Sequence, residues 1–174
     1  MSNHTDHGHR KPNPKDRLLG DLDLILEEQI ALTIARHYFR SFCAPESEAW
    51  IRAIEEAETR FGPVEGPCVA SRVLSVLKTI RRARRSTFLF NNPCCIRCAA
   101  VATEHERRLV SSLASIRRGN MGRARMEVIM LCEGNGVDQV LAALCDLSET
   151  LAGQQQAAVS DGQSKELRAL RGTL

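Results

Sequence analysis

Aromatic residues are scarce in this 174-residue chain: Phe, Trp and Tyr together make up 4% of it, and Trp and Tyr occur once each. A core with so few aromatic rings must consist mainly of Leu, Ile, Val and Ala, which favours helices over sheets. Hydrophobic residues still account for 43% of the chain, enough for the core of one domain.

Long hydrophobic runs are absent as well. No stretch approaches the roughly 20 apolar residues of a membrane-spanning helix, and the N-terminal segment MSNHTDHGHRKPNPKDR lacks the apolar centre of a secretory signal. We therefore expect a cytoplasmic protein with no membrane partner. In that compartment, seven cysteines are expected to be thiols, metal ligands or core residues and not a disulfide framework.

Apolar residues recur at helical spacing along residues 16–152, in segments separated by short Gly- and Pro-containing breaks. This pattern predicts an all-α, single-domain bundle of about six mostly antiparallel helices, because short loops join antiparallel neighbours. Residues 1–15 are predicted to form a disordered N-terminal tail. Residues 153–174 are predicted to form a flexible C-terminal tail.

The predicted bounds of five helices bear on the candidate sites. The first helix is expected to begin at Asp16 or Asp21 and to end near Phe42. Gly62-Pro63 should end the second helix, and Gly66-Pro67 should open the third. The fourth helix is predicted to run without interruption from about residue 95 to residue 118, and the sixth to end near residue 151.

Three of the seven cysteines lie within five positions, in the segment NNPCCIRC at residues 91–98. Two of them have the CxxC spacing that can supply two of the four tetrahedral ligands of zinc. The sequence therefore predicts a metal clip, with zinc favoured over an iron–sulfur cluster. A homodimer sharing two CxxC pairs would complete such a site without further ligands. The candidate ligands within one chain are Cys94, Cys95, Cys98, Cys132 and His105.

The cysteine cluster also has two interpretations without a metal. At a helix N-terminus the pKa of a CxxC thiol is lowered, so Cys95 as nucleophile and Cys98 as resolving thiol would form a redox-sensing pair. A thiol oxidoreductase is the enzymatic version, although the βαβ setting of thioredoxin-like enzymes is missing. Alternatively, the cysteines are ordinary packing residues, the interpretation we favour for Cys132 and Cys145.

The segment TEHERR places Glu104, His105 and Glu106 side by side. Adjacent helical residues point in different directions, so these three do not form one acid–base site. No catalytic triad is visible elsewhere, and we expect the protein not to be an enzyme. The simplest interpretation of this segment is a solvated turn with a histidine at the edge of the core.

Positive charge is concentrated in residues 78–125, which hold 12 Lys and Arg residues and two acidic residues. On the third helix, a basic stripe (Lys78, Arg81, Arg82 and Arg85) follows the i, i+3, i+4, i+7 spacing of one face. Arginines suit phosphate and carboxylate groups, so the partner is predicted to be nucleic acid or an acidic protein. A third option is internal pairing with the acidic first two helices. The predicted nucleic-acid-binding residues are Lys78, Arg81, Arg82, Arg85, Arg107, Arg108, Arg118, Arg123 and Arg125.

Together these features predict a non-enzymatic regulator or adaptor that binds its partner through the basic helices. The cysteine cluster would act as a metal clip or a metal/redox sensor, fixing the start of the fourth helix so that two basic faces align or separate. The alternative is an interaction protein without a ligand, in which the first and sixth helices build a dimer interface.

Overall fold

Six helices and one short antiparallel ribbon make up the fold in the computed structural model, which describes residues 13–171 and the side chains of residues 13–154. The predicted all-α bundle is thus confirmed. Residues 1–12 of the predicted N-terminal tail and residues 172–174 lie outside the described range. The elements are α1 (Leu26–Cys43), α2 (Ala49–Ala83), α3 (Ile96–Ala99), α4 (Glu104–Arg117), α5 (Met121–Leu131) and α6 (Val137–Arg171), with strands β1 (Arg17–Leu18) and β2 (Val101–Ala102).

Helix α1 is packed against α2 and α4. It begins at Leu26, later than predicted, because the Glu28 carboxylate accepts the Ile25 N–H at 3.0 Å and caps the helix there. The preceding chain forms β1 and a 3-10 turn. Ten of the 18 α1 residues are buried, among them Ile34 and Phe39. A dimer interface built from this helix, as one alternative proposed, would therefore have little exposed surface to use.

Helix α2 bends sharply at Gly62, whose φ of 85° and ψ of 167° are not helical. This is where the sequence predicts the end of one helix. In a straight helix, residues 58 and 66 would lie about 12 Å apart. Instead, Gly66 lies directly against the backbone of Ala57 and Glu58. The two arms of α2, residues 49–61 and 63–83, therefore cross closely at this glycine.

The predicted fourth helix is interrupted, which corrects the expectation of one helix from residue 95 to residue 118. A four-residue helix, α3, leads into β2, which pairs with β1. Helix α4 then starts after Thr103, whose Oγ1 accepts the Glu106 N–H at 3.1 Å, while Glu106 Oε2 accepts the Thr103 N–H at 2.8 Å. This reciprocal cap has the sequence signature T-x-x-E, which is present in TEHE.

Helix α6 packs along α2 and also contacts α4 and α5. Its buried face carries Val140, Leu144 and Leu151, as the helical spacing predicted. The helix does not end near Leu151 but continues to Arg171, so most of the predicted C-terminal tail segment is helical.

Candidate functional site

The cysteine segment is positioned by a buried ion pair between Arg36 on α1 and Glu106 on α4. Arg36 Nε donates to Glu106 Oε1 at 2.7 Å and Nη2 donates to Oε2 at 3.1 Å. Both residues are at most 1% exposed. The guanidinium also donates to the carbonyls of Ala99, at 2.8 Å, and Val101, at 2.7 Å. One arginine therefore joins α1 to α3, β2 and α4.

Further polar contacts attach the loop that follows α2 to the same point. The Asn91 N–H donates to Glu106 Oε1 at 2.9 Å, and Asn91 Nδ2 donates to the Val101 carbonyl at 2.6 Å. Thr103 Oγ1 donates to the Leu89 carbonyl at 2.7 Å. Hydrogen bonds between nitrogen and oxygen atoms, and not a cysteine sulfur, thus fix the start of α4 relative to this loop. The sequence interpretation of Glu106 as part of a solvated turn is wrong.

Cys95 and Cys98 lie next to each other at the start of α3. The Cys98 N–H donates to Cys95 Sγ at 3.4 Å, so Cys95 is the N-cap of α3. This backbone hydrogen bond, followed by one from the Cys98 side chain, lowers the pKa of the Cys95 thiol, and the charge of Arg97 contributes less. The two residues have the relationship expected of a nucleophilic and a resolving thiol.

Cys94 makes different contacts from its two neighbours. Its exposed thiol is approached by the Arg40 Nη1 at 3.2 Å and by the Arg52 Nη1 at 3.3 Å, both donating to Sγ. Arg40 lies near the end of α1 and Arg52 on the first arm of α2. We refer to Cys94, Arg40 and Arg52 as the Cys94 cradle. The two arginines are 54 and 42 positions from Cys94, so no local pattern predicts the cradle.

The other two predicted metal ligands are engaged elsewhere. Cys132 is fully buried in the core, and this burial raises the pKa of its thiol to about 11. His105 Nδ1 accepts the Leu89 N–H at 2.8 Å, and its Nε2 lies 3.3 Å from Arg84 Nη2. Across residues 13–154, no three or more His, Cys, Asp or Glu side chains are grouped so as to hold a metal ion.

Most predicted basic residues beyond α2 form ion pairs within the protein, which leaves no second basic face on α4. Arg108 contacts Glu104 at 2.8 Å and Glu127 at 3.2 Å. The pairs to early acidic residues are Arg118 with Asp23 and Arg117 with Glu28, and the remaining pairs are Arg107 with Glu127 and Arg125 with Asp138.

The basic stripe on α2 is different, because its four side chains are exposed and have no carboxylate partner among the described residues. The Arg81 guanidinium stacks 4.4 Å from the centre of the Phe42 ring. Arg85 lies just beyond the end of α2, where its backbone N–H donates to Glu133 at 3.0 Å. Arg123 is also exposed, and its backbone N–H donates to Asn120 Oδ1 at 3.0 Å.

Comparisons with known proteins yield no matching family model, no matching curated protein and no matching solved structure. Among the described residues, no helix combines the length and the apolar character that crossing a membrane requires. The basic stripe and the cysteine segment are therefore the features of this structure that bear on function.

Proposed function

We propose that the protein is a non-enzymatic cytoplasmic regulator that binds the phosphate backbone of duplex nucleic acid through the basic stripe. The observation that supports this proposal is the exposure of Lys78, Arg81 and Arg82 on one side of α2, and of Arg85 just beyond its end, without carboxylate partners among the described residues. Cations left unpaired in this way are available to a polyanion, whereas the paired arginines of α4 are not.

The stripe is held on a rigid support. The opposite side of the same helical arm is buried through Val73, Leu77 and Ile80, so the backbone that carries the stripe is part of the core. Binding would then require ordering of side chains only, which limits the entropic cost. Stacking on Phe42 already restrains one of them, Arg81.

Duplex phosphates fit this surface better than single-stranded bases. Three of the four stripe residues are arginines, whose planar fork matches phosphate oxygens. The nearby rings of Phe88 and Phe90 stack on Phe39, at centroid distances of 4.2 and 5.4 Å, and are thus not available as platforms for bases.

A competition experiment distinguishes the two polyanions. Binding of a fluorescein-labelled random-sequence duplex is followed by anisotropy at low salt, with unlabelled duplex or poly-glutamate as competitor. We expect weak, sequence-independent binding in the micromolar range that duplex displaces efficiently. Displacement by poly-glutamate at lower concentrations than by unlabelled duplex would instead favour an acidic protein as the partner.

We propose a second role for the CxxC pair, as a redox sensor in the loop that follows the basic stripe. The proposal is supported by the contact between Cys95 and Cys98 and by the lowered pKa of the Cys95 thiol. Mild oxidation should form a disulfide between them, detected by peptide mass spectrometry and absent in C98S. An unchanged pair under conditions that oxidise the exposed Cys68 would contradict the role. Steady turnover in a disulfide-reduction assay would instead indicate that the protein is a thiol oxidoreductase.

The zinc hypothesis requires a second chain in this geometry. Zinc takes four ligands, and Cys95 with Cys98 supplies two, so the same pair from a second copy would complete the site. Elemental analysis combined with sedimentation tests this directly. A zinc-dependent dimer with about one ion per two chains would support the clip, and a zinc-free monomer would contradict it.

A further inference from the structure

The Cys94 cradle brings two guanidinium groups to one exposed sulfur. Neither Arg40 nor Arg52 has a carboxylate partner among the described side chains, and each donates to Cys94 Sγ. Two cations that face the same atom repel each other unless an anion lies between them. The cradle is therefore a surface at which an anionic group would be stabilised.

A buried histidine next to the cradle provides a second observation. His37 on α1 is only 8% exposed, and its Nδ1 has no hydrogen-bond partner within the described structure. It is close enough to Arg40, Arg52 and Glu56 for their charges to act on its ring, while burial is the largest cause that lowers its pKa. The ring is thus mainly uncharged, so Arg40 and Arg52 are the cations that face Cys94.

We propose that Cys94 is a modification site that forms mixed disulfides with small disulfides bearing carboxylate groups. The Cys94 thiolate attacks one sulfur of the reagent, a new bond forms between Cys94 Sγ and that sulfur, and the reagent's own S–S bond breaks. The departing half leaves as a thiolate and takes a proton from water. Cys94 is oxidised and the departing half is reduced.

Arg40 and Arg52 would hold the carboxylates of the reagent and of the attached group. Guanidinium groups bind carboxylates in a two-pronged geometry, and the same positive charges repel a cationic disulfide. The cradle should therefore select reagents by charge. This inference does not depend on nucleic-acid binding, since the basic stripe contributes none of the three residues and the reaction is measured without a polyanion.

The test compares two small disulfides of opposite charge, oxidised glutathione and cystamine, on the full chain. Peptide mass spectrometry reports the initial rate of modification at Cys94 and at Cys68, an exposed thiol outside the cradle. We expect the Cys94 to Cys68 rate ratio to be roughly fivefold or more higher with glutathione disulfide than with cystamine, from two exposed charge interactions. The C95S/C98S variant is measured in parallel. Without these two thiols, a mixed disulfide at Cys94 cannot be lost by exchange with a neighbouring cysteine.

Variants of the arginines identify the source of the preference. R40Q/R52Q should reduce the charge preference to that of Cys68, whereas R123Q/R125Q, which removes the same charge from two exposed residues of α5, should retain it. Equal rate ratios for the two reagents, or an unchanged preference in R40Q/R52Q, would overturn the proposal. So would the absence of a Cys94 adduct in C95S/C98S.

Discussion

Arg36 and Glu106, 70 positions apart in the chain, meet in the core through two hydrogen bonds of 2.7 and 3.1 Å. Glu106 also accepts the backbone N–H groups of Asn91 and Thr103. The pair is therefore the point where α1, the loop after α2 and the start of α4 are joined, and the cysteine segment lies between two of these attachments.

Removing one partner of this pair should destabilise the protein strongly. R36M or E106L leaves an uncompensated buried charge, and we expect a loss of about 3–5 kcal/mol in the free energy of unfolding. R36M/E106L should recover part of that loss, because neither charge remains. Urea unfolding followed by circular dichroism measures all three variants. The exposed pair of Arg125 and Asp138 is the control, and R125Q should cost less than about 1 kcal/mol.

A result within about 1 kcal/mol of wild type for both R36M and E106L would contradict this role. It would mean that the hydrogen bonds to the carbonyls of Ala99 and Val101, and to the loop, are dispensable for the position of α4.

The crossing of the two α2 arms depends on Gly66. A Cβ there would lie 2.6 Å from both N and Cα of Glu58, closer than the backbone allows without movement. G66A should therefore destabilise the protein by about 2 kcal/mol or more and lower its melting temperature. G153A is the matched control, since no atom lies within 4 Å of its new Cβ. It should stabilise α6 by about 0.5–1 kcal/mol. Equal effects of the two substitutions would show that the arms do not meet at Gly66.

His105 should make stability fall in mildly acidic solution. Burial and, to a lesser extent, the charge of Arg84 lower the pKa of its ring below the usual 6.5, and its Nδ1 can accept the Leu89 N–H only while unprotonated. Below about pH 6.5 the unfolded chain therefore binds more protons at this position than the folded chain does. The free energy of unfolding should decrease as the pH falls from about 7 to about 5.

Urea unfolding at several pH values, with H105Q as the variant, measures this contribution. Arg108 lowers the pKa of His105 further, while Glu104 and Glu133 oppose the lowering. Glu104 does not titrate in this range, because Lys15 and Arg108 hold the pKa of its carboxyl at about 2. H37Q separates the parallel contribution of His37, whose pKa is lowered in the same direction. An identical pH dependence in wild type and H105Q would contradict the assignment to His105.

Helical periodicity was sufficient to predict the bundle, because apolar spacing is a local property of the sequence. The same spacing wrongly predicted a continuous helix between residues 95 and 104, where the helix is interrupted. There the backbone carbonyls of Ala99 and Val101 bind Arg36, a residue from another helix. The T-x-x-E cap was a local signal that could have located the true start of α4.

For the candidate sites too, local features were predictable from the sequence and contacts between distant residues were not. The basic stripe was predictable, because a single helix positions most of it. The pairing of Arg118 with Asp23 was not, since these residues are 95 positions apart. The CxxC spacing predicted that Cys95 and Cys98 are neighbours, but it could not show that Cys94 faces Arg40 and Arg52.

The salt dependence of duplex binding is the sharpest measure of whether the basic stripe contacts phosphates. Four phosphate contacts predict that log K falls with log salt with a slope of about 3.6. R82Q/R85Q should lower that slope by about 1.8, and R60Q/R72Q, with the same change in net charge, should leave it unchanged. Equal weakening by both double variants, or binding that is insensitive to salt, would contradict the assignment of the basic stripe as the binding surface.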